Sequence, residues 1–278
     1  MIGKDNKYDA VIVGAGVSGL FMFHKLRNMG LSVLVIEKSD ELGGTWNWNR
    51  YPGARCDIPS LEYSYQFDED LQQEWNWSEK YSAGPEILEY LNHVAEKFDL
   101  KDYINFEEEV IQAKFNEDSC LWSVSTNKQK YVAKFCIFAT GCLSIPNKPE
   151  IPGLESFEGK LLHTATWPRE EQNFTDKNVA IIGTGSSSIQ TIPEIAKDVK
   201  NLYVFQRTPN YSIPSNNGPM DKDVEAQVKA RYSEFRKENS LNGFGLASLS
   251  DEAMISESDL EEVNSQFEEN WNTSGLAF

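Results

Sequence analysis

The sequence is poor in basic residues. Lysine and arginine number 26 against 43 aspartate and glutamate, which gives a formal net charge of −17 at pH 7. Nucleic-acid-binding proteins present a basic surface, so this balance argues against a nucleic-acid partner. It leaves nucleotide cofactors open, because helix N-termini and a few well-placed basic side chains hold phosphates locally.

Cysteine is scarce, and long apolar runs are missing. The four cysteines show neither C-x-x-C nor C-x-x-x-x-C spacing, which disfavours a redox-active disulfide of the disulfide-reductase kind. Reduced thiols are typical of a cytosolic protein, and we predict no metal site. No apolar stretch approaches the roughly 18 residues of a membrane span. The N-terminus, M-I-G-K-D-N-K-Y-D, lacks the apolar core of a signal peptide, so we expect a cytoplasmic protein.

The first clear motif is glycine-rich. The apolar run 8–13 predicts a buried strand, and G-A-G-V-S-G follows it at 14–19. In a dinucleotide-binding unit Gly14 makes the tight turn, Gly16 lets the backbone approach a pyrophosphate, and Gly19 lets the helix pack closely. We expect that helix to run to Asn28, with Gly30 at its C-terminus, and a strand over 31–36 to follow. Glu37 then stands where an acid accepts from ribose hydroxyls.

A second glycine motif, G-T-G-S-S-S at 183–188, follows a predicted strand over 178–182. Pro193 predicts a short or kinked helix after it. The next strand, 202–205, is followed by Arg207 rather than by an acid. An acid would accept the 2′-hydroxyl of NAD, whereas an arginine pairs with the 2′-phosphate of NADP. The predicted NADP-binding residues are Gly183, Thr184, Gly185, Ser186, Ser187, Arg207 and Thr208.

Other segments predict further elements. Residues 82–98 have helical spacing. Residues 106–138 alternate between apolar and polar positions and predict a small antiparallel meander, after which 135–139 returns to the main sheet. The acidic last stretch predicts an exposed amphipathic helix over 224–238 and another over 259–271.

The segment joining the two motifs reads F-E-G-K-L-L-H-T-A-T-W-P at 157–168. It matches F-x-G-x-x-x-H-x-x-x-W-P, the signature of Baeyer–Villiger monooxygenases, the ketone-oxygenating branch of the flavin-containing monooxygenases. A second signature agrees: G-G-T-W at 43–46, Y-P-G at 51–53, then Asp57. From about Tyr8 onward the chain resembles that family, and two multi-residue signatures in order are far more specific than one glycine motif.

The resemblance implies that the first motif holds FAD, with Glu37 on the adenosine ribose. The residue matching Asp57 lies beside the flavin in the family and supports an active-site arginine, which is expected beyond Phe278. The implied FAD-binding residues are Gly14, Gly16, Ser18, Gly19, Glu37, Gly44, Thr45, Trp46, Asp57 and Tyr63.

The candidate catalytic residues are Asp57, His163 and Trp167, the last two from the linker signature. We expect His163 to order the linker by hydrogen bonding and to align the domains rather than to transfer protons. Trp167 would fill the junction between the two domains that His163 aligns. Gly159 is expected to supply a backbone conformation that other residues cannot reach.

The activity implied by the resemblance is the oxygenation of a ketone or another lipophilic small molecule. NADPH reduces FAD, reduced flavin activates O2 as a peroxide, and the ketone becomes an ester or lactone. One alternative is a flavin-containing monooxygenase that oxidises nitrogen or sulfur atoms. Another is a truncated, non-catalytic FAD-binding remnant.

The predicted fold class is α/β with two Rossmann-like units, a small antiparallel meander and the start of a helical insertion. We expect an FAD-binding domain over 1–145, a linker over 146–168, an NADP-binding domain over 169–214 and the insertion over 215–278. Family members are much longer than this chain, so we expect an N-terminal fragment or truncated gene product. Its sheets would have open edges and exposed apolar surface.

Overall fold

The computed structural model describes residues 6–241, 243, 245–246 and 260–273. The chain forms two compact units. Unit 1 comprises Met1–Tyr51 and Pro85–Gln172, and unit 2 comprises Pro52–Gly84 and Asn173–Phe278. Each unit contains a parallel β–turn–α–β arrangement, which confirms the predicted α/β class.

Unit 1 is built on one sheet of six strands in the order β3-β2-β1-β6-β5-β4. Strand β1 pairs in parallel with β2 and β6, and β2 pairs in parallel with β3, whereas β4, β5 and β6 are antiparallel neighbours. The strands are β1 (Lys7–Val13), β2 (Val33–Ile36), β3 (Ile104–Asn105), β4 (Val110–Asn116), β5 (Leu121–Thr126) and β6 (Lys130–Phe138).

Strands β4, β5 and β6 form the predicted antiparallel meander, and β6 also makes the predicted return to the main sheet. Its first residues pair antiparallel with β5, from Ser125–Lys130 to Trp122–Ala133. The same strand runs parallel to β1 as far as the Val13–Phe138 pair. At nine residues it is long enough to serve both neighbours. The third meander strand and the returning strand are therefore one element.

Helices and a buried core complete unit 1. Helix α1 (Val17–Asn28) buries Leu20 and Phe23, and α4 (Gly84–Lys97) fills the predicted helix over 82–98. A further short helix, α2, spans Thr45–Trp48. The core cluster on the sheet consists of Val11, Leu34, Ile36, Val124, Tyr131 and Ala133.

Helix α1 ends at the predicted glycine. Gly30 has a φ of +81°, and its N–H donates to the carbonyl of Arg27 at 2.9 Å. The N–H of Leu31 reaches back to the carbonyl of Leu26 at 3.2 Å. This pair of bonds is a Schellman motif, which satisfies the last carbonyls of the helix.

Unit 2 has a two-stranded parallel sheet of β7 (Asn178–Ile182) and β8 (Asn201–Phe205). Helix α5 (Ser186–Ile195) connects them and ends two residues after Pro193, as expected for a short helix. Ile182 is 63% exposed and Phe205 58%. This sheet therefore shows the expected exposed apolar surface. Unit 2 also contains the short helix α3 (Glu69–Glu74).

The helix predicted over 224–238 is two helices, α6 (Lys222–Ala230) and α7 (Tyr232–Leu241), broken at Arg231. The break lets Tyr232 and Phe235 be buried, at 6% and 8% exposure, so the segment is not simply solvated. Helix α8 (Leu260–Thr273) matches the last predicted helix, while the remainder of the insertion, 247–259 and 274–278, lies outside the described residues. Within the described ranges, no helix has both the length and the apolar character to cross a membrane.

The core cluster should dominate the stability of unit 1. Ile36→Ala empties a site that is 1% exposed and should lower the free energy of unfolding by about 2–5 kcal/mol. Ile111→Ala is the matched control, because Ile111 is 69% exposed, and its effect should stay within about 0.5 kcal/mol. Urea unfolding followed by tryptophan fluorescence compares them; equal losses would contradict the assigned core.

Candidate functional site

The first glycine turn, residues 14–19, joins β1 to α1 and is closed by backbone contacts. Gly14 has a φ of +106°, and a Cβ there would lie 2.6 Å from the carbonyl oxygen of Ala139. A Cβ on Gly19 would lie 1.9 Å from the carbonyl oxygen of Gly14. The tight turn and the close helix packing predicted for these two glycines are both present. Ser18 is exposed in the first turn of α1.

Glu37 lies at the end of β2, 6% exposed, with its carboxylate on the first glycine turn. Its Oε2 accepts the N–H of Ala15 at 2.7 Å, and its Oε1 accepts the N–H of Ser39 at 2.9 Å. Its own N–H donates to the carbonyl of Asn105, and its carbonyl accepts the N–H of Glu108, both at 2.9 Å. A buried carboxylate is costly unless hydrogen-bonded, and two backbone donors meet that need here.

The loop that carries the second signature contacts the first glycine turn. The N–H of Gly43 donates to the carbonyl of Ala15 at 2.9 Å. Gly44 has a φ of +54°, and a Cβ on it would lie 2.9 Å from the Cα of Gly16. Glycine is therefore required where these two backbones approach. The next predicted residues begin α2: Thr45, which is exposed, and Trp46, which is partly buried.

Asp57 and Tyr63, also predicted for FAD, belong to unit 2. Tyr63 is partly buried, whereas Asp57 is exposed and its Oδ1 accepts the side-chain amide of Gln190 at 3.0 Å. Gln190 also bonds the backbone of Arg55 at both its carbonyl and its N–H. A Cβ on Gly53 would lie 2.3 Å from the carbonyl oxygen of Gln190. Helix α5 thus holds the Asp57 loop through a neutral side chain that the sequence motifs do not single out.

The signature segment is ordered by its histidine. His163 precedes the 3-10 turn Thr164–Thr166, and its Nδ1 accepts the N–H of Ala165 at 3.2 Å. Its Nε2 lies 3.2 Å from the carbonyl oxygen of Asn147, which assigns the ring proton to Nε2. Both nitrogens therefore bind backbone of the linker. Trp167, partly buried, directly follows the turn.

The expectation for Gly159 is wrong in its reason. Its φ lies outside the positive region that only glycine adopts readily. A Cβ on Gly159 would instead lie 2.5 Å from the ring of Phe157. Phe157 is exposed and its ring can move, so neither the backbone conformation nor this contact strictly requires glycine here.

Arg169, directly after the signature, is a residue that the motif reading missed. Its guanidinium hydrogen-bonds the Asp40 carboxylate and lies 3.8 Å from Glu41. The bond from Arg169 holds the pKa of the exposed Asp40 carboxyl below its ordinary value. Within unit 1, the end of the signature is therefore linked to the residues that precede Gly43.

The second glycine turn, residues 183–188, is linked to the segment after β8. Gly183 has a φ of +102°, and its N–H donates to the carbonyl of Phe205 at 2.8 Å. The side chains of Gln206 and Asn210 donate to the hydroxyl and the carbonyl of Thr184, both at 2.8 Å. Arg207 is exposed between these two anchors. The other predicted residues of this site lie in the turn, at the start of α5 or after β8: Gly185, Ser186, Ser187 and Thr208.

The two helices that follow the glycine turns share an electrostatic feature. Neither α1 nor α5 has a side-chain cap or an acidic residue in its first turn. Among the other described helices, the first turns of α3, α4, α6, α7 and α8 each carry at least one acid, whereas the four-residue α2 is uncapped and acid-free as well. The positive dipole end of a helix whose own first turn carries no acid suits a phosphate.

The cysteines do not form a redox centre. All four, Cys56, Cys120, Cys136 and Cys142, are free. Burial raises the pKa of the Cys56 thiol to about 11, so it stays protonated at neutral pH. Since the thiolate is the reactive form, Cys56 is not poised for disulfide exchange.

Gly19 should be intolerant of any side chain. Gly19→Ala places a methyl group 1.9 Å from a backbone oxygen and should cost at least about 3 kcal/mol of stability. Gly30→Ala is the control, because no heavy atom of the described residues lies within 4 Å of its Cβ and only its positive φ is strained, at about 1 kcal/mol. Thermal unfolding of both variants tests the ranking; a Gly19→Ala protein as stable as Gly30→Ala would contradict the turn geometry.

Comparisons with known proteins extend these observations. The chain is 44% identical over 229 residues to the acetone monooxygenase (methyl acetate-forming) of Gordonia sp. (strain TY-5), covering 82% of this chain and 43% of that protein. It is 40% identical over 278 residues to a Baeyer–Villiger monooxygenase of Pseudooceanicola batsensis, covering 99% of this chain and 50% of the relative. The phenazine N-monooxygenase PhzNO1 of Lysobacter antibioticus is 34% identical, over 98% of this chain and 50% of its own length.

A solved structure matches the fold closely. An oxidised steroid monooxygenase bound to NADP superposes with a TM-score of 0.93 at 45% identity, covering 98% of this chain and 53% of that one. The chain thus spans about half the length of the curated relatives it matches. The family model described as pyridine nucleotide-disulphide oxidoreductase matches residues 11–274. The chain therefore belongs to the pyridine nucleotide-disulphide oxidoreductase family and resembles its relatives among the Baeyer–Villiger monooxygenases.

Proposed function

We propose that the protein uses FAD and NADPH to insert one oxygen atom of O2 into a ketone, giving an ester or a lactone. The observation that carries the proposal is the presence of two glycine turns, each opening a helix with an uncapped, acid-free N-terminus. Two such sites in one chain fit two nucleotide cofactors. The similarity to acetone and Baeyer–Villiger monooxygenases narrows the chemistry to ketone oxygenation.

The first glycine turn fits FAD. Gly16 and Gly44 keep the backbone bare beside the N-terminus of α1, where a pyrophosphate would sit. Each carboxylate oxygen of Glu37 accepts one backbone N–H and retains a lone pair for a ribose hydroxyl. Asp57 and Tyr63 are proposed as further FAD ligands on the resemblance of the second signature.

The second glycine turn fits NADPH. The N-terminus of α5 would hold its pyrophosphate, and Arg207 would pair with the 2′-phosphate. Gln206 and Asn210 fix the strand-end segment on Thr184, so Arg207 starts from an anchored backbone. This anchoring lowers the entropy that the arginine loses on binding.

The remaining chemistry divides between the cofactors and the chain. When bound, NADPH supplies the hydride and FAD the activation of O2. His163 orders the linker through both ring nitrogens, and Arg169 ties the end of the signature to the Asp40 loop. These residues orient the binding elements rather than transfer protons. Trp167 would help exclude water beside them.

The proposed partners are a ketone or another lipophilic small molecule and O2, with no nucleic acid, given the net charge of −17. The four free cysteines support a reducing compartment, so we propose the cytoplasm.

A second candidate is oxidation at nitrogen or sulfur. It is supported by the 34% identity to a phenazine N-monooxygenase over nearly the whole chain. A third is a remnant that binds FAD and turns nothing over.

Arg207 should decide between the two nicotinamide cofactors. Arg207→Ala removes the cation proposed for the 2′-phosphate and should weaken NADPH binding about 10- to 100-fold while leaving NADH nearly unchanged. Arg231→Ala is the control, since Arg231 is also exposed but pairs with Glu238 at 3.2 Å. Binding titrations with both cofactors measure the ratio. Equal loss for NADPH and NADH would refute the phosphate role.

The reaction itself is tested by product analysis with isotopically labelled O2. The protein, supplied with FAD and NADPH, should convert a cyclic ketone into a lactone carrying one labelled atom, and a thioether more slowly. Faster formation of a sulfoxide or an N-oxide would favour the second candidate. NADPH oxidation without an oxygenated product, or no oxidation, would indicate the remnant.

A further inference from the structure

Residues 105–108, which begin at the last residue of β3, hydrogen-bond both the N–H and the carbonyl of Glu37. Asn105 accepts its N–H and Glu108 donates to its carbonyl, both at 2.9 Å. The N–H of Glu107 also donates to the carbonyl of Ser39 at 2.9 Å. The peptide that carries the Glu37 carboxylate therefore takes its position from residues 105–108.

That segment is anchored by a buried polar cluster centred on Glu108, which is 2% exposed. The Glu108 carboxylate accepts the hydroxyl of Thr126 at 2.6 Å and that of Tyr131 at 2.9 Å. The side-chain amide of Asn105 donates to Glu108 at 3.1 Å and to the Tyr131 oxygen at 2.7 Å. Burial, together with the bond to Glu108, raises the pKa of Tyr131 to about 12, so its hydroxyl remains a donor.

If its role were only structural, this cluster would be a costly way to stabilise the fold. Its centre is a carboxylate whose named donors are neutral, and apolar replacements of buried charges are often neutral or stabilising. The cluster instead holds its side chains in one arrangement, because satisfied polar networks fix a single geometry. The two residues that bond the Glu37 backbone, Asn105 and Glu108, are both members of it.

We propose that Glu108 is a positioning residue for FAD that acts through Glu37. Glu108 fixes the 105–108 segment, and this segment sets the position of the Glu37 carboxylate. The inference rests on the proposed function, since it takes Glu37 as the acceptor of the FAD ribose. It adds a buried residue of the connection between β3 and β4 that belongs to no motif.

The test is a double-mutant cycle read by FAD affinity of the apoprotein. Glu108→Gln should raise the Kd for FAD about tenfold, and Glu37→Gln by at least as much. The double variant should bind FAD no more weakly than Glu37→Gln alone, because both changes act through one carboxylate. Glu109→Gln is the matched control. Glu109 is the next residue after Glu108, but it is exposed and pairs with Lys38 at 2.7 Å, so its replacement should change the Kd for FAD less than about twofold.

A second readout needs no cofactor. In the apoprotein, Glu108→Gln should speed amide hydrogen exchange at Ala15 and Ser39, the two N–H groups that Glu37 accepts. Tyr131→Phe, which removes one donor to Glu108, serves as the second variant if Glu108→Gln does not fold, and should act in the same direction.

The outcomes separate the two ideas. Additive losses in the cycle, or a wild-type Kd and unchanged exchange in a folded variant, would overturn the positioning role alone. A wild-type protein that binds no FAD would overturn the proposed function and the FAD role of Glu108 with it. In that case, faster exchange at Ala15 and Ser39 would still establish the coupling of Glu108 to Glu37.

Discussion

The hydrogen bond from the Ala15 N–H to the buried Glu37 carboxylate is the contact on which the first site depends. It joins the glycine turn to the end of β2 and so fixes the spacing between their backbones, which the proposed binding of a nucleotide requires. A charged acceptor makes such a bond stronger than a neutral one. The carbonyl of Ala15 in turn accepts from Gly43, so the second signature loop is set by the same residue. The N–H and the carbonyl of Ala15 thus link the glycine turn, the end of β2 and the second signature loop.

The two glycine turns use the same motif under different packing. In the first, the chain itself crowds the glycines, with a backbone oxygen 1.9 Å from where a Cβ of Gly19 would lie. In the second, no heavy atom of the described residues comes within 4 Å of a Cβ on Gly185. Glycine in the first turn is therefore demanded by the packing of the chain itself. In the second, Gly183 is demanded by its positive φ, and Gly185 has no such packing reason.

The sequence predicted the local parts of the fold well, because their signals are short-range. The strand, the glycine turn, the helix and the Gly30 terminus each depend on residues within one or two turns of each other. Long-range pairing was less accessible. Strand β6 pairs with both β1 and β5, and the break at Arg231 precedes two residues, Tyr232 and Phe235, that are buried by tertiary packing. Gln190 and Glu108 carry no motif, since they bond side chains that are distant in sequence: Asp57 in the first case, and Thr126 and Tyr131 in the second.

The family description includes disulphide chemistry, but the cysteines of this chain argue for another route. Cys56 lies one residue before Asp57, yet it is buried and its pKa is raised to about 11. A thiol held in that form is a weak nucleophile and a weak electron carrier. The dinucleotide framework of the family is therefore retained without its thiol pair, as fold and chemistry can separate. Of the described side chains near the two glycine turns, those with chemical consequences are a carboxylate, an arginine and amides, which suit the proposed binding of nucleotides rather than the exchange of electrons.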